Sequence, residues 1–305
     1  MATPEAESGT ARRLDDDDLR ALDAAVAEAL GRGDASALPT LGFGEISLVL
    51  GWPREDPAFA CKRLPPFRSR QRFDAYRATL DDYLAALRAA GIRVVDTEMR
   101  PVALDGEAVA GYVVQPILPA EELAPRVLAR SDPRRGHPLL AAVAETAART
   151  VSPTLGLDAQ LANWIWDGEG LTYIDVSTPM IWSEEGECRL DIEPMSLAFP
   201  WILRGALMRF VAPGILDTYR DLRKVYFDIC GNLLRDRLDA WLDPVLEQVN
   251  GHLGEPITAD QVRRYYRRDK LLWASLLRAR RLDRAWHLHV RRRPYPFLLP
   301  GTIDR

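Results

Sequence analysis

Hydrophobic and polar positions recur along this chain with two different periods, and the switches between them mark its elements. In LRALDAAVAEAL (19–30) the apolar residues return every three or four positions, the spacing of a helix face. Four aspartates at 15–18 give that helix a negative first turn, and Gly31 and Gly33 stop it. From Pro39 the period shortens. ISLVL (46–50) and FACKRL (59–64) read as strands around the turn GWPREDP. Over 69–90 the helical period returns, with Phe73, Tyr76, Leu80, Tyr83, Leu84 and Leu87 in one apolar stripe. RVVDTEM, RPVALD and GYVVQPIL follow as three more strands, with Gly106 in the turn before the last. Beyond Pro119 the segments AEELAPRVLAR and HPLLAAVAETAARTV are helical. LANWIW (161–166), DGEG and LTYIDV (171–176) then form a hairpin, and 196–288 is nearly all helical. The expected architecture is α+β and two-lobed. A tail and helix (1–36) precede a β-rich lobe (37–118), and a mostly helical lobe (119–305) follows a break at 116–119.

Composition narrows the function classes. The 305 residues are 47% hydrophobic, with 44 acidic and 40 basic side chains and a net charge of −4, which describes a folded chain of ample core size. Cys61, Cys188 and Cys230 lack metal-type or CxxC spacing, so neither a disulfide framework nor a cysteine metal site is expected. The opening MATPEAESGTARR has no apolar core of a signal peptide, and residues 1–14 read as disordered. The longest apolar run, 196–216, carries Arg204 and Arg209, each costing about 2.5–3.5 kcal/mol at a bilayer centre. A cytoplasmic protein with no membrane partner is therefore expected.

Only Lys62, Lys224 and Lys270 among the 40 basic residues are lysine. A lysine kept in so arginine-rich a chain points to a site that needs a compact ammonium, and Lys62 lies on a predicted strand. Four features then occur in order. A Gly-x-Gly-x-x-Ser-x-Val run contains Gly42, Gly44 and Ser47, and its glycines let backbone N–H groups approach phosphate oxygens. Lys62 follows on the next strand, as a point charge for phosphates. Asp158 and Asn163 stand five apart before the hairpin. They are an acceptor for a hydroxyl proton and an amide oxygen for a hard cation. Asp175 closes the hairpin as a magnesium-type ligand or as a turn residue bonding its own backbone.

This ordered set resembles the protein-kinase-like superfamily, most nearly its aminoglycoside phosphotransferase and choline kinase branch. The resemblance covers roughly 39–180. It implies ATP under the glycine loop, Lys62 on the α/β-phosphates, and Asp158 orienting an acceptor hydroxyl. It further implies Mg2+ on Asn163 and Asp175, and adenine against the stretch from Gln115 to Leu118. It also implies an acid on helix 69–90 that braces Lys62. A 100° step per residue places Asp81 on the flank of the stripe, with Asp74 the alternative. Three positions depart from the family pattern. Gly156 stands where a histidine precedes the catalytic aspartate, Ser47 replaces the third glycine, and Asp175-Val176-Ser177 replaces Asp-Phe-Gly.

The expected function is an ATP- and Mg2+-dependent phosphotransferase acting on a hydroxyl of a small molecule. Its alternatives are a kinase-fold binding or regulatory protein and nucleotidyl transfer on the same fold. The segment 261–293 holds 12 basic residues against Asp269 and Asp283. A chain total of −4 and a segment total of +10 leave −14 on the remainder. An anionic ligand is one reading of that segment, and pairing with the acidic remainder of the chain is the simpler one. No nucleic-acid-binding module is present in the sequence, so nucleic acid is not an expected partner.

Overall fold

A computed structural model describes residues 13–43, 48–196, 204–210, 212–292 and 295. The expected disorder of residues 1–12 and the loop positions Gly44 and Ser47 lie outside the described residues. The architecture is α+β, with a β-rich N-terminal part and a helical C-terminal part.

Helix α1 (Asp16–Arg32) begins as its aspartates require. Asp15 is the N-cap and forms a reciprocal capping box with Asp18, while Gly33 ends the helix in the left-handed conformation at φ 68°. Strands β1 (Thr40–Phe43), β2 (Leu48–Trp52) and β3 (Phe59–Arg63) pair antiparallel in sequence. Helix α2 (Arg70–Ala89) follows, capped by the Ser69 hydroxyl. Strands β5 (Glu98–Ala103) and β6 (Val109–Pro116) complete a five-stranded sheet of order β1-β2-β3-β6-β5. Between α2 and β5, strand β4 (Arg93–Val94) leaves this sheet altogether. The predicted strand RVVDTEM is therefore split. Its first two residues pair in parallel with β8 (Leu171–Tyr173), and its last two open β5.

The sheet has two buried faces, and strand alternation assigns residues to each. On β6, Ala110, Tyr112 and Val114 join Cys61, Leu48 and Leu50 beneath Leu19, Leu22 and Val26 of α1. Val109 and Val113 face the other way, against Phe73, Tyr76 and Leu80 of α2, in a core that continues into the helical part. Lys62 sits directly opposite Val113 in the ladder and so points to the α2 side, away from the Cys61 face. On the α1 side, Arg63 Nε donates to Asp23 Oδ1 at 2.8 Å and the Tyr112 hydroxyl donates to the same oxygen at 2.7 Å.

The helical part holds α3 (Ala124–Ala129), α4 (Pro138–Thr150) and the hairpin of β7 (Trp164–Trp166) with β8. It continues with α5 (Glu193–Ser196), α6 (Arg204–Phe210), α7 (Ala212–Leu216), α8 (Leu222–Arg235), α9 (Leu242–Asn250) and the long α10 (Ala259–His289). Trp164 and Trp182 are core residues, and Trp166 is half-buried against the same core. Among the described residues no helix is long and apolar enough to cross a membrane.

The Asp23–Arg63 pair anchors α1. Arg63→Met strands a carboxylate only 6% exposed and should cost about 3–5 kcal/mol in denaturant unfolding, whereas Asp23→Leu with Arg63→Met should cost far less. Equal losses in the single and double variants would show that charge pairing at this site is immaterial.

Candidate functional site

The site forms where β3 of the sheet meets the segment after β8. Lys62 Nζ donates to Asp175 Oδ1 at 3.0 Å and to Ser177 Oγ at 2.5 Å, and the Ser177 hydroxyl donates to the same Asp175 oxygen at 3.0 Å. Burial by itself would raise the Asp175 carboxyl. The Lys62 charge, its hydrogen bond and those from Ser177 outweigh this and hold it below the usual carboxylate range. The Asp175 side chain keeps 38% of its surface, so an approaching ligand can reach it.

Asp158 and Asn163 lie on the loop before β7, half-buried. Asn163 Nδ2 donates to the Asp158 carbonyl at 3.1 Å, and the Asn163 carbonyl accepts from the Ile174 amide at 3.0 Å, which ties that loop to the residue before Asp175. Gln160 holds the Asp158 side chain, its backbone N–H on Oδ1 at 3.3 Å and its Nε2 on Oδ2 at 3.2 Å. Arg235 of α8 donates to Gln160 Oε1 at 3.2 Å, which fixes the amide with its NH2 end toward Asp158. Burial, with the negative charges of Asp228 and then Asp175, pushes the Asp158 carboxyl up to about 8.

Helix α2 supplies the frame. Tyr76 donates its hydroxyl to the Ser177 carbonyl at 2.9 Å, and Tyr83 donates to the Gly156 carbonyl at 3.1 Å. Two residues of the apolar stripe thus fasten backbone two positions from Asp175 and two positions from Asp158. Arg72 adds a bidentate grip on Asp191, at 2.8–3.0 Å. A histidine at Gly156 would be crowded here. A Cβ would lie 3.0–3.1 Å from the Trp182 ring, the Met180 Cβ and the Tyr219 carbonyl. The loop is braced instead by backbone bonds, from Gly156 N to Met180 O at 2.8 Å and from Leu157 N to Tyr219 O at 3.0 Å.

Other expected positions fare differently. Asp81 does not brace Lys62. It is exposed on α2, Asp74 pairs with Arg70 and Arg77, and the acid on Lys62 is Asp175. The cause is rotational, because the α2 face turned to this region carries tyrosines and not a carboxylate. Gln115 commits its Nε2 to the Ile174 carbonyl at 2.9 Å and to Thr97 at 3.1 Å, so its side chain ties the sheet to the Asp175 segment. Leu118 is half-buried just past β6. Gly42 pairs with Val49, and a Cβ there would meet open space, so packing does not require a glycine at this position. Sequence reading missed Asp228, Gln160, Arg235 and the two tyrosine hydroxyls. Gln160, inside the Asp158–Asn163 spacing, was the one visible signal.

Two side-chain oxygens at the site are left that could serve a hard divalent cation. Asn163 spends Nδ2 on Asp158, which leaves its amide oxygen for a cation, and the ion pair uses Oδ1 of Asp175, which leaves Oδ2. Among the described residues no three His, Cys, Asp or Glu side chains cluster to hold a metal by themselves. Magnesium sites are commonly built from one or two protein oxygens completed by phosphates and water.

The family described as "Family of unknown function (DUF6206)" matches over residues 21–284, and the chain belongs to that family. No curated protein matches. Among solved structures the chain is similar to one from WaaP in complex with acyl carrier protein, at 14% identity and a TM-score of 0.38. That match covers 83% of this chain and 92% of the other.

The raised Asp158 predicts a pH signature. Its folded pKa exceeds the unfolded value, so the native state holds a proton that the unfolded state has released between about pH 4 and pH 8. Stability from this group is complete below that window and is lost as pH rises through it, by at most about 1.4 kcal/mol per pH unit. Asp158→Asn should therefore gain stability relative to wild type as pH rises from 5 to about 9 in unfolding titrations. A constant difference across that range would refute the raised carboxyl.

Proposed function

We propose that this member of the family is an ATP- and Mg2+-dependent phosphotransferase acting on a hydroxyl group of a small molecule. The observation that carries the reading is the Lys62–Asp175 ion pair, 3.0 Å across the junction of sheet and helices. The loop bearing Asp158 and Asn163 is fastened to the same segment. Lys62 would release Asp175 and place its ammonium on the α/β-phosphates of the nucleotide. Asp175 Oδ2 and the Asn163 amide oxygen would hold Mg2+, which neutralises charge on the transferring phosphoryl group. Gly42, at a position with no packing demand for glycine, lets the β1 backbone approach the phosphates.

Asp158 would accept the proton of the acceptor hydroxyl, and Gln160 would hold its two oxygens in line for that hydroxyl. The group must be ionised to do so. The carboxyl near 8 in the free protein is raised first by burial and then by Asp228 and Asp175, and a cation beside Asp175 would lower it by removing the last of these repulsions. A second reading, nucleotide binding without transfer, rests on the same observation, since a carboxyl that stays protonated accepts nothing.

Calorimetric titration with ATP tests both. Wild type should bind ATP with Mg2+ and bind it weakly without. Lys62→Ala should lose about tenfold or more in affinity, and Asp175→Asn should lose the Mg2+ dependence. Asp158→Asn should bind normally and lose transfer by at least about a hundredfold. An absence of binding in the wild type contradicts the nucleotide site. Binding that never leads to phosphoryl transfer to hydroxyl compounds, even above pH 8, selects the binding protein.

A further inference from the structure

Helix α10 is 31 residues and so about 46 Å long, and it is held to the fold along one side. Near its start the Tyr265 ring packs 5.7 Å from that of Phe227, and its hydroxyl meets Asp228 of α8 at 3.3 Å. Near its end Arg284 donates to the Gly33 carbonyl at the C-terminus of α1. Val262, Arg280 and Asp283 are buried on this inner side. The adjoining side is not covered. Of the eight large hydrophobic residues exposed among the described residues, five are Leu271, Leu272, Leu282, Trp286 and Val290, all on α10 or its C-cap. At 100° per residue they fall within a single sector of about 100°, as two apolar clusters, Leu271–Leu272 and Leu282–Trp286–Val290, with the exposed Ser275 between them.

Arginines border the two clusters. Arg278 and Arg281 run along one side, Arg264 and Arg268 stand at their N-terminal end, and all four are exposed. None of the four enters a salt bridge among the described residues. The segment carries +10 while the remainder carries −14, so the chain's positive charge is concentrated on α10 and the residues just after it.

We infer that the outer face of α10 docks the protein on an anionic lipid bilayer surface, with the helix lying in the plane of the headgroups. Exposed clusters of Leu and Trp suit shallow insertion into a fluid, flat surface. Bordering arginines suit its negative charge, and the acidic body would be repelled and so turned outward. A groove, which a protein partner of ordinary kind would fill, is not what this helix face offers. The inference concerns a peripheral contact and does not rest on the kinase reading. It revises the expectation of no membrane partner, which was argued from the lack of a spanning segment.

Flotation of the full-length protein with phosphatidylcholine vesicles, with and without phosphatidylglycerol, tests it. Wild type should float only with the anionic vesicles, and high salt should release most of it. Leu282→Ser with Trp286→Ser should lose about tenfold or more in vesicle affinity. Arg264, Arg268, Arg278 and Arg281 replaced by Gln should lose about a hundredfold or more, with thermal unfolding unchanged in both variants. Failure to float with anionic vesicles overturns the proposal, as does binding that the apolar variant leaves intact. A wild-type dimer in light scattering that the apolar variant dissolves would assign the clusters to a second copy of this chain instead. Tight, salt-sensitive binding of duplex DNA without vesicle binding would assign the arginines to nucleic acid.

Discussion

The organisation of this protein turns on one ion pair. Lys62 and Asp175 are 113 residues apart in sequence and 3.0 Å apart in space, and they join a sheet strand to a segment of the helical part. Everything that sets the distance is elsewhere. Lys62 points toward α2 because its neighbour Cys61 must be buried under α1, and alternation then leaves it no other side. Asp175 arrives because β8 ends at Tyr173 and the chain beyond it is pinned by Tyr76 and Gln115. The pair is only partly exposed, and the cost of drawing both charges out of water offsets much of their attraction. Their constancy of position comes from the two frames that hold them, and this leaves the pair able to separate around a ligand.

Helix α2 is the template for the acidic loops. Its apolar stripe packs on the sheet and the helical core, and two tyrosines in that stripe carry the polar work at their tips. A tyrosine can do both, since its ring is buried like a phenylalanine while its hydroxyl finds a carbonyl. The same economy explains Gly156. Where a side chain would otherwise brace the loop, Trp182 fills the volume and the backbone is held by Met180 and Tyr219. Asp158 consequently sits among Asp175 and Asp228 in a partly dry environment, where a proton or a cation is required to balance charge.

Periodicity made much of this legible. The helix read over 69–90 is α2 at Arg70–Ala89, because a strong stripe and a serine cap both lie in local sequence. The strands around Lys62 and the hairpin before Asp175 were visible for the same reason. What failed was long-range and rotational. Nothing in RVVDTEM announces that Arg93 and Val94 will pair with β8 in a different sheet, since parallel pairing is set by packing and not by neighbours. Asp81 was expected at Lys62 by counting along a helix, but counting gives the angle between residues and not the orientation of the helix on the fold. The tyrosines were read as core and are core, and their hydroxyls become informative only when the opposing carbonyls are known. Asp228 and Arg235, on a helix some seventy residues beyond Asp158, carried no local signal at all.

The central claim is that the junction of β3 with the 174–178 segment is where a nucleotide binds. Hydrogen exchange with and without ATP and Mg2+ addresses it most directly. The account predicts slower exchange in β3 and in the segment around Asp175 together, with the loop around Asp158 following, and little change along α10. Slower exchange confined to other parts of the chain, or no change at saturating nucleotide, would contradict it.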